Sequence, residues 1–131
     1  MERADRMNPV ILTSGAGTYE IKALVTFCGQ DLAVIITGGK AHIGAAALAV
    51  LQPSLTSSDK TAIASVLCVN GHREDELARK ASLYLATECN ASVLVSVGLH
   101  LDAAKASDIE QLVLNTKQLV EKIGTNLMAL R

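Results

Sequence analysis

The sequence is poor in aromatic residues and contains no tryptophan. Its aromatic rings, apart from the three histidines, are those of Phe27, Tyr19 and Tyr84. Modules that bind single-stranded nucleic acid stack bases on aromatic side chains and follow the backbone with a basic groove. This chain has few such rings and no basic stripe, since 12 Lys and Arg residues face 13 Asp and Glu residues. Nucleic-acid binding is therefore not expected.

Long apolar runs are also missing. None approaches the roughly 20 residues that a membrane-spanning helix needs, and the charged start of the chain, MERADRMN, has no apolar stretch behind it as a signal peptide would. The three cysteines, Cys28, Cys68 and Cys89, are widely spaced within apolar patterns. Such cysteines are typical of buried structural thiols rather than of a disulfide framework or a zinc motif. Together these absences predict a cytoplasmic protein without membrane contact.

Aliphatic side chains are abundant instead. Half of the 131 residues are hydrophobic, and the mean hydropathy is +0.32. The length suits one domain over residues 1–131, with residues 1–9 as a flexible arm. A small domain buries a limited share of its surface, and leftover apolar surface usually marks an interface. We therefore expect a homo-oligomer.

The first half of the chain has the patterns of β-strands. Residues 10–13 suit a short edge strand, and residues 19–28 alternate apolar and polar side chains with the period of a half-buried strand. Gly29 and Gln30 suit a two-residue hairpin turn with glycine first. Residues 32–37 are apolar on both faces, as in a central strand. An antiparallel hairpin is therefore predicted here.

Residues 45–51 are ambiguous, because their alanines suit a helix while the short distance to Pro53 favours a strand. We favour the strand. The later elements are a strand over 63–69, a helix over 72–88, a strand over 91–101 and a helix from Ser107, whose hydroxyl and Glu110 fit a capping box. The predicted fold is therefore α+β: an antiparallel β-meander followed by β-α-β-α, as a single mixed sheet with two helices packed on one face.

This topology makes a prediction about the three histidines. Alternate strands of a meander run the same way, and strands joined through a helix in one sheet are parallel. The strands that precede His42 and His72 and the strand that carries His100 should thus end at one edge of the sheet. If residues 45–51 formed a helix instead, one strand would be lost and the parity would invert.

Other groups at the same edge suit an anion. The predicted binding residues are Gly38, Gly39, Lys40, His42, Gly44, Gly71, His72, Arg73 and His100. A glycine pair followed by a lysine offers backbone N–H groups and a cation, while a helix N-terminus and an arginine attract phosphate or carboxylate. The pattern is neither a P-loop nor GxGxxG.

Structural and metal-binding alternatives apply to the same residues. Three imidazoles can hold zinc, but the wide histidine spacing matches no zinc signature, so a metal is not expected. No catalytic residue is assigned, because no Ser-His-Asp or Cys-His pairing can be argued. The structural alternatives are Gly38 and Gly39 as strand terminators, His72 as a helix cap, Lys40, Arg73 and His100 as solvated groups, and Glu74 and Asp75 as partners of the helix dipole.

Three segments carry a resemblance to a known family: DLAVIITGG at 31–39, AHIG at 41–44 and GHRED at 71–75. From about Tyr19 to Leu101 the chain resembles the LpdD-like family, the small D subunits named after gallate decarboxylase. The resemblance implies a helper of UbiD-type aromatic-acid decarboxylases, which use prenylated FMN, and a role in delivery or maturation of that cofactor. The scarcity of aromatic rings leaves little for flavin stacking.

The function expected from these observations is a non-catalytic accessory subunit that binds prenylated FMN, FMN or a phosphorylated precursor and assists a UbiD-type decarboxylase. One alternative is a small enzyme that uses the histidines as general acid or base on a phosphorylated or carboxylated metabolite. Another is a purely structural subunit that docks on a decarboxylase through an apolar face.

Overall fold

The computed structural model describes residues 8–53, 60–69 and 74–130, so most of the predicted N-terminal arm lies outside the described residues. Within these ranges, six strands form one mixed sheet, and two helices share a core with one of its faces. The α+β prediction is confirmed. The elements are β1 (Val10–Ser14), β2 (Ile21–Cys28), β3 (Asp31–Gly39), β4 (Ala45–Pro53), β5 (Lys60–Cys68), α1 (Asp75–Cys89), β6 (Val93–His100) and α2 (Ala106–Leu130).

The β2–β3 hairpin forms as predicted. Cys28 pairs with Asp31 at its tip. Gly29 has a φ of 60°, the left-handed conformation that such a turn needs at its first central residue and that glycine adopts without steric cost. Every second residue from Ile21 to Val25 is buried, and Phe27 is partly buried against the same core, so the local alternation did identify the core-facing side.

The strand order is β1-β2-β3-β6-β4-β5. Residues 45–51 belong to strand β4, as favoured from the sequence. β4 runs antiparallel to β5 and to β6, and β3 runs parallel to β6. The directions of β3, β5 and β6 therefore agree with the predicted parity. The last strand inserts between β3 and β4, a central position that suits its buried valines, Val93, Val95 and Val97.

The N-terminus of α2 differs from the predicted capping box. The helix begins at Ala106, which places Lys105 at the N-cap and Ser107 inside the first turn. Asp108 Oδ2 accepts the backbone N–H of Lys105 at 2.8 Å, and its Oδ1 accepts the hydroxyl of Tyr19 at 2.5 Å. The assignment of Ser107 as N-cap was wrong because a carboxylate held by a distant tyrosine caps the helix instead.

One face of the sheet carries the helices, and neither helix covers the other face within the described residues. The core on the helix side is aliphatic and joins alternate residues of the strands to both helices. Exposed apolar side chains, including Ile35, Leu48 and Leu94, remain on the opposite face. Neither helix combines the length and the low polarity that a membrane span demands, as far as the described residues go.

Candidate functional site

The candidate site lies where β3 and β6 end together. Because these neighbours are parallel, Gly39 at the end of β3 pairs with His100 at the end of β6, and the backbone N–H of Lys40 donates to the His100 carbonyl at 2.9 Å. The chain then passes across the end of β6 toward β4. The rings of His42 and His100 meet edge to face, with centroids 6.1 Å apart.

The loop between β3 and β4 approaches β6 very closely. Gly44 N–H donates to the carbonyl of Val97 at 2.9 Å. A Cβ atom on Gly98 would overlap the carbonyl oxygen of His42, and one on Gly44 would overlap the carboxylate of Glu74. Two glycines thus make room for the crossing, and Gly44, which was predicted as a binding residue, is one of them.

His42 is hydrogen-bonded to the carboxylate of Glu74, the N-cap residue of α1. Its Nε2 lies 2.9 Å from Oε2 of Glu74, and its Nδ1 lies 3.1 Å from the carbonyl oxygen of Lys40. The same Glu74 oxygen accepts the backbone N–H of Leu99 at 3.2 Å. Glu74 is buried, and a buried carboxylate is tolerated only when it has partners of this kind.

The oxygen partners of His42 define where its protons lie. The carbonyl of Lys40 can only accept, so Nδ1 must carry a proton. A proton must also lie between Nε2 and Oε2 of Glu74, because neither a bare ring nitrogen nor a carboxylate oxygen can donate. Both ring nitrogens are therefore engaged, which fixes the ring in place and suits it poorly to take a proton from a substrate.

Sequence reasoning missed Glu74 as a site residue, because an acidic residue at a helix start is explained equally well by the helix dipole. The only sign of the His42–Glu74 contact in the described part of the sequence is the pair of glycines, Gly44 and Gly98, that make room for it. Without the strand order, however, these glycines give no indication that Glu74, at the N-cap of α1, lies next to them.

A cleft with a volume of about 260 Å³ opens at this edge, lined by Lys40, Ala41, His42 and His100. His100 Nε2 lies 3.0 Å from Oδ1 of Asp102, a highly exposed residue that sequence reasoning did not single out. The Lys40 side chain is exposed. The cleft therefore combines one ammonium group with two imidazole rings, and Asp102 opposes them with one negative charge.

The structure changes how an anion would be held. The backbone N–H groups of Lys40 and Gly44 already bond to carbonyls of β6, so these two groups do not serve as donors to an anion. Gly38 lies inside β3, where Ile21 and Leu99 pack against it, and does not line the cleft. The predicted residues Gly71, His72 and Arg73 lie outside the described residues. Among the side chains that are described, no three His, Cys, Asp or Glu residues could hold a metal ion together.

A second concavity separates α1 from α2. It has a volume of about 210 Å³, and its lining includes Leu77, Tyr84 and Val120 along with Lys117. Burial raises the pKa of the Tyr84 hydroxyl, and the nearby carboxylates of Glu88 and Glu121 raise it further. Its lining includes neither His42 nor His100, so it is separate from the cleft.

Comparisons with known proteins agree with this architecture. A family model described as a prenylated flavin chaperone LpdD-like domain matches residues 15–128. No protein of curated function shows significant sequence similarity. A chain from the structure titled "Crystal Structure of a Novel Chaperone Complex for Yeast 20S Proteasome Assembly" is similar in fold, with a TM-score of 0.64 and 13% identity, over 92% of this chain and 97% of that one. At that identity the likeness concerns the fold alone.

Proposed function

The chain belongs to the family of LpdD-like prenylated flavin chaperone domains, and we propose on that premise that it is a non-catalytic accessory subunit that binds prenylated FMN or a phosphorylated precursor. It presents the cofactor to a UbiD-type aromatic-acid decarboxylase. The observation that carries the proposal is the cleft where β3 and β6 end. Ligands of open sheets with parallel strands bind outside the carboxyl ends of those strands.

The side chains at the cleft suit a phosphate. Lys40 supplies a positive charge, and His100 supplies a ring that can donate to phosphate oxygens when it turns away from Asp102. Charge-assisted bonds of this kind are among the stronger hydrogen bonds in proteins. His42, held by Glu74, forms a rigid wall against which a ligand can rest. Arg73, next to Glu74 in the sequence, is the proposed second cation.

An open cleft suits a carrier better than a catalyst. A carrier must release its cargo, and a cleft of about 260 Å³ lies at or below the size of pockets that enclose whole drug-sized ligands, roughly 300–1,000 Å³. We propose that it holds the phosphate end of the flavin and leaves the ring system accessible to the receiving enzyme. The engaged nitrogens of His42 favour this role over the rival one, general acid–base catalysis on a small metabolite.

Flavin titration tests the proposal. Purified full-length protein is titrated with FMN, prenylated FMN, dimethylallyl phosphate and riboflavin, which lacks the phosphate. The proposal expects the phosphorylated compounds to bind and riboflavin to bind at least about tenfold more weakly. Equal binding of FMN and riboflavin, or binding of neither, contradicts a phosphate site in this cleft.

Transfer to an enzyme tests the second half. Protein loaded with prenylated FMN is mixed with a cofactor-free UbiD-type decarboxylase, and decarboxylation is followed against the same amount of free cofactor. Faster or more complete activation by the loaded protein supports delivery. Identical activation by free cofactor contradicts it.

A further inference from the structure

We propose that the open face of the sheet is a homodimer interface, on which a second copy of this chain packs sheet against sheet. This inference concerns a surface remote from α1 and α2 and does not depend on which ligand the cleft takes. The face is the side of the six strands opposite the helices. Its apolar members are Ile35, Leu48, Val50, Ile63, Leu67 and Leu94.

The strand register groups these side chains into one patch. Leu48 pairs with Leu94, and Val50 pairs with Ile63, so each pair points to the same side of the sheet. In a single chain Leu48 is 47% exposed and Leu94 is 42% exposed. Isolated exposed leucines are ordinary, but a contiguous apolar patch across several strands marks an interaction surface.

A buried hydroxyl lies in the same patch. Ser96 pairs with Ile35 on one side and with Ala46 on the other and is only 8% exposed. Its hydroxyl is the one buried side-chain polar atom without a hydrogen-bond partner in the part of the chain that the structure describes. Because Oγ of Ser96 is already shielded from solvent by its own chain, this residue adds no exposed polar group to the middle of the patch.

The size of the face matches what a stable dimer needs. Five neighbouring strands of the sheet, in the order β2, β3, β6, β4 and β5, each have eight or nine residues. At about 4.8 Å between strands and about 3.3 Å per residue they cover roughly 600 Å² in projection. Side chains make the accessible area larger, which brings it to the order of the 800 Å² per partner of a standard interface.

The charge distribution favours a copy of the same chain. The charged side chains on this side of β2 and β3, Lys22 and Asp31, lie toward opposite ends of the strands, and the middle of the patch carries none. A patch whose middle carries no charge creates no repulsion there when it meets a second copy of itself, as a two-fold interface requires. Two such sheets pack about 10 Å apart with their strands nearly aligned, which closes both apolar faces at once.

Sedimentation and point variants test this directly. The wild type should sediment at twice the 13.7 kDa chain mass at tens of micromolar. Leu94→Glu and Leu48→Glu each place a charge in the apolar contact and should raise the dissociation constant at least about a hundredfold. Leu114→Glu is the matched control, since Leu114 is 49% exposed on α2, and it should leave the dimer intact.

A tryptophan reporter covers the case in which the charged variants do not fold. The wild-type chain has no tryptophan, so Leu48→Trp introduces a single emitter on the face and Leu114→Trp a single emitter on the helix. Dilution should shift the emission of the first toward that of solvated tryptophan and leave the second unchanged. A wild-type monomer at tens of micromolar, or a dimer that Leu114→Glu dissociates and Leu94→Glu does not, overturns the proposal.

Discussion

Oε2 of Glu74 lies 2.9 Å from Nε2 of His42. Through the 3.2 Å bond from the backbone N–H of Leu99, that single oxygen also joins the start of α1 to the end of β6. The pair holds the loop after β3 against the sheet and thereby forms one wall of the cleft. Its integrity can be tested separately from ligand binding.

Removal of the carboxylate should destabilise the fold. Glu74→Ala leaves the Leu99 N–H and the His42 ring without their acceptor, and an unsatisfied buried group costs about 1–3 kcal/mol. Glu74→Gln should cost less, because its amide oxygen can still accept the Leu99 N–H. Urea denaturation gives the free energy of unfolding. The exposed Glu76, whose partner is Arg79, serves as the control, since Glu76→Ala should change stability by less than about 1 kcal/mol.

The crossing over β6 should tolerate no side chain at position 98. A Cβ at Gly98 would overlap the His42 carbonyl, so Gly98→Ala must displace backbone, at a cost of about 3 kcal/mol or more. Gly17→Ala is the informative control. Gly17 has a φ of 61° with open space around it, so its replacement costs only backbone strain, about 1 kcal/mol. Equal thermal stability of the two variants would contradict the close approach of the loop.

The bond between Tyr19 and Asp108 should make stability depend on pH. The Tyr19 hydroxyl, followed by the Lys105 backbone N–H, lowers the pKa of Asp108 from its ordinary 3.8. A group whose pKa is lower in the folded state stabilises the fold at pH values above its unfolded-state pKa. That stabilisation is lost as the pH falls through its folded-state pKa. Wild type should therefore lose unfolding free energy more steeply than Tyr19→Phe below about pH 4.

At alkaline pH the same bond should make the protein less stable as the pH rises. The same hydrogen bond, with the charge of Asp108, raises the pKa of Tyr19 above its ordinary 10.0. The contribution is then present below pH 10.0 and is lost as the pH rises through the higher folded value. Denaturation of wild type and Tyr19→Phe across both ranges checks the two limbs, and parallel curves in both would show that the bond contributes nothing.

Lys40→Ala should weaken a phosphorylated ligand without unfolding the protein. A charge-assisted hydrogen bond contributes roughly 1.5–3 kcal/mol, which corresponds to about a tenfold to hundredfold loss of affinity. Arg73→Ala is expected to have a similar effect. Lys117→Ala, at the concavity between α1 and α2, is the control. If it weakens FMN binding and Lys40→Ala does not, the ligand site is between the helices.

Local patterns in the sequence predicted the strands and helices well. The period-two alternation before Gly29 identified the buried side of β2, because the side chains of a strand alternate between its faces whatever packs against them. The short distance from residue 45 to Pro53 favoured β4 over a helix. Strand parity then placed His42 and His100 at the same edge, where their rings do meet.

The sequence did not predict which residues distant along the chain contact one another. The insertion of β6 between β3 and β4 depends on pairing between strands that lie far apart in the chain, a comparison among all strands at once. The N-terminus of α2 is capped by Asp108, whose carboxylate is held by the distant Tyr19, in place of Ser107. Periodicity carries no information about such contacts, because it reports the environment of a residue and not the identity of its neighbour.

For this protein, then, the sequence by itself determined the element types, the parity of the strands and the family, since these follow from local spacing and short motifs. Only the tertiary structure decided that Glu74 pairs with His42, that the N–H groups of Lys40 and Gly44 are bonded to β6 and that one apolar face of the sheet stays uncovered. These are outcomes of packing, in which each contact depends on all the others, and hydrogen-bond partners are assigned only once the strands have found their neighbours.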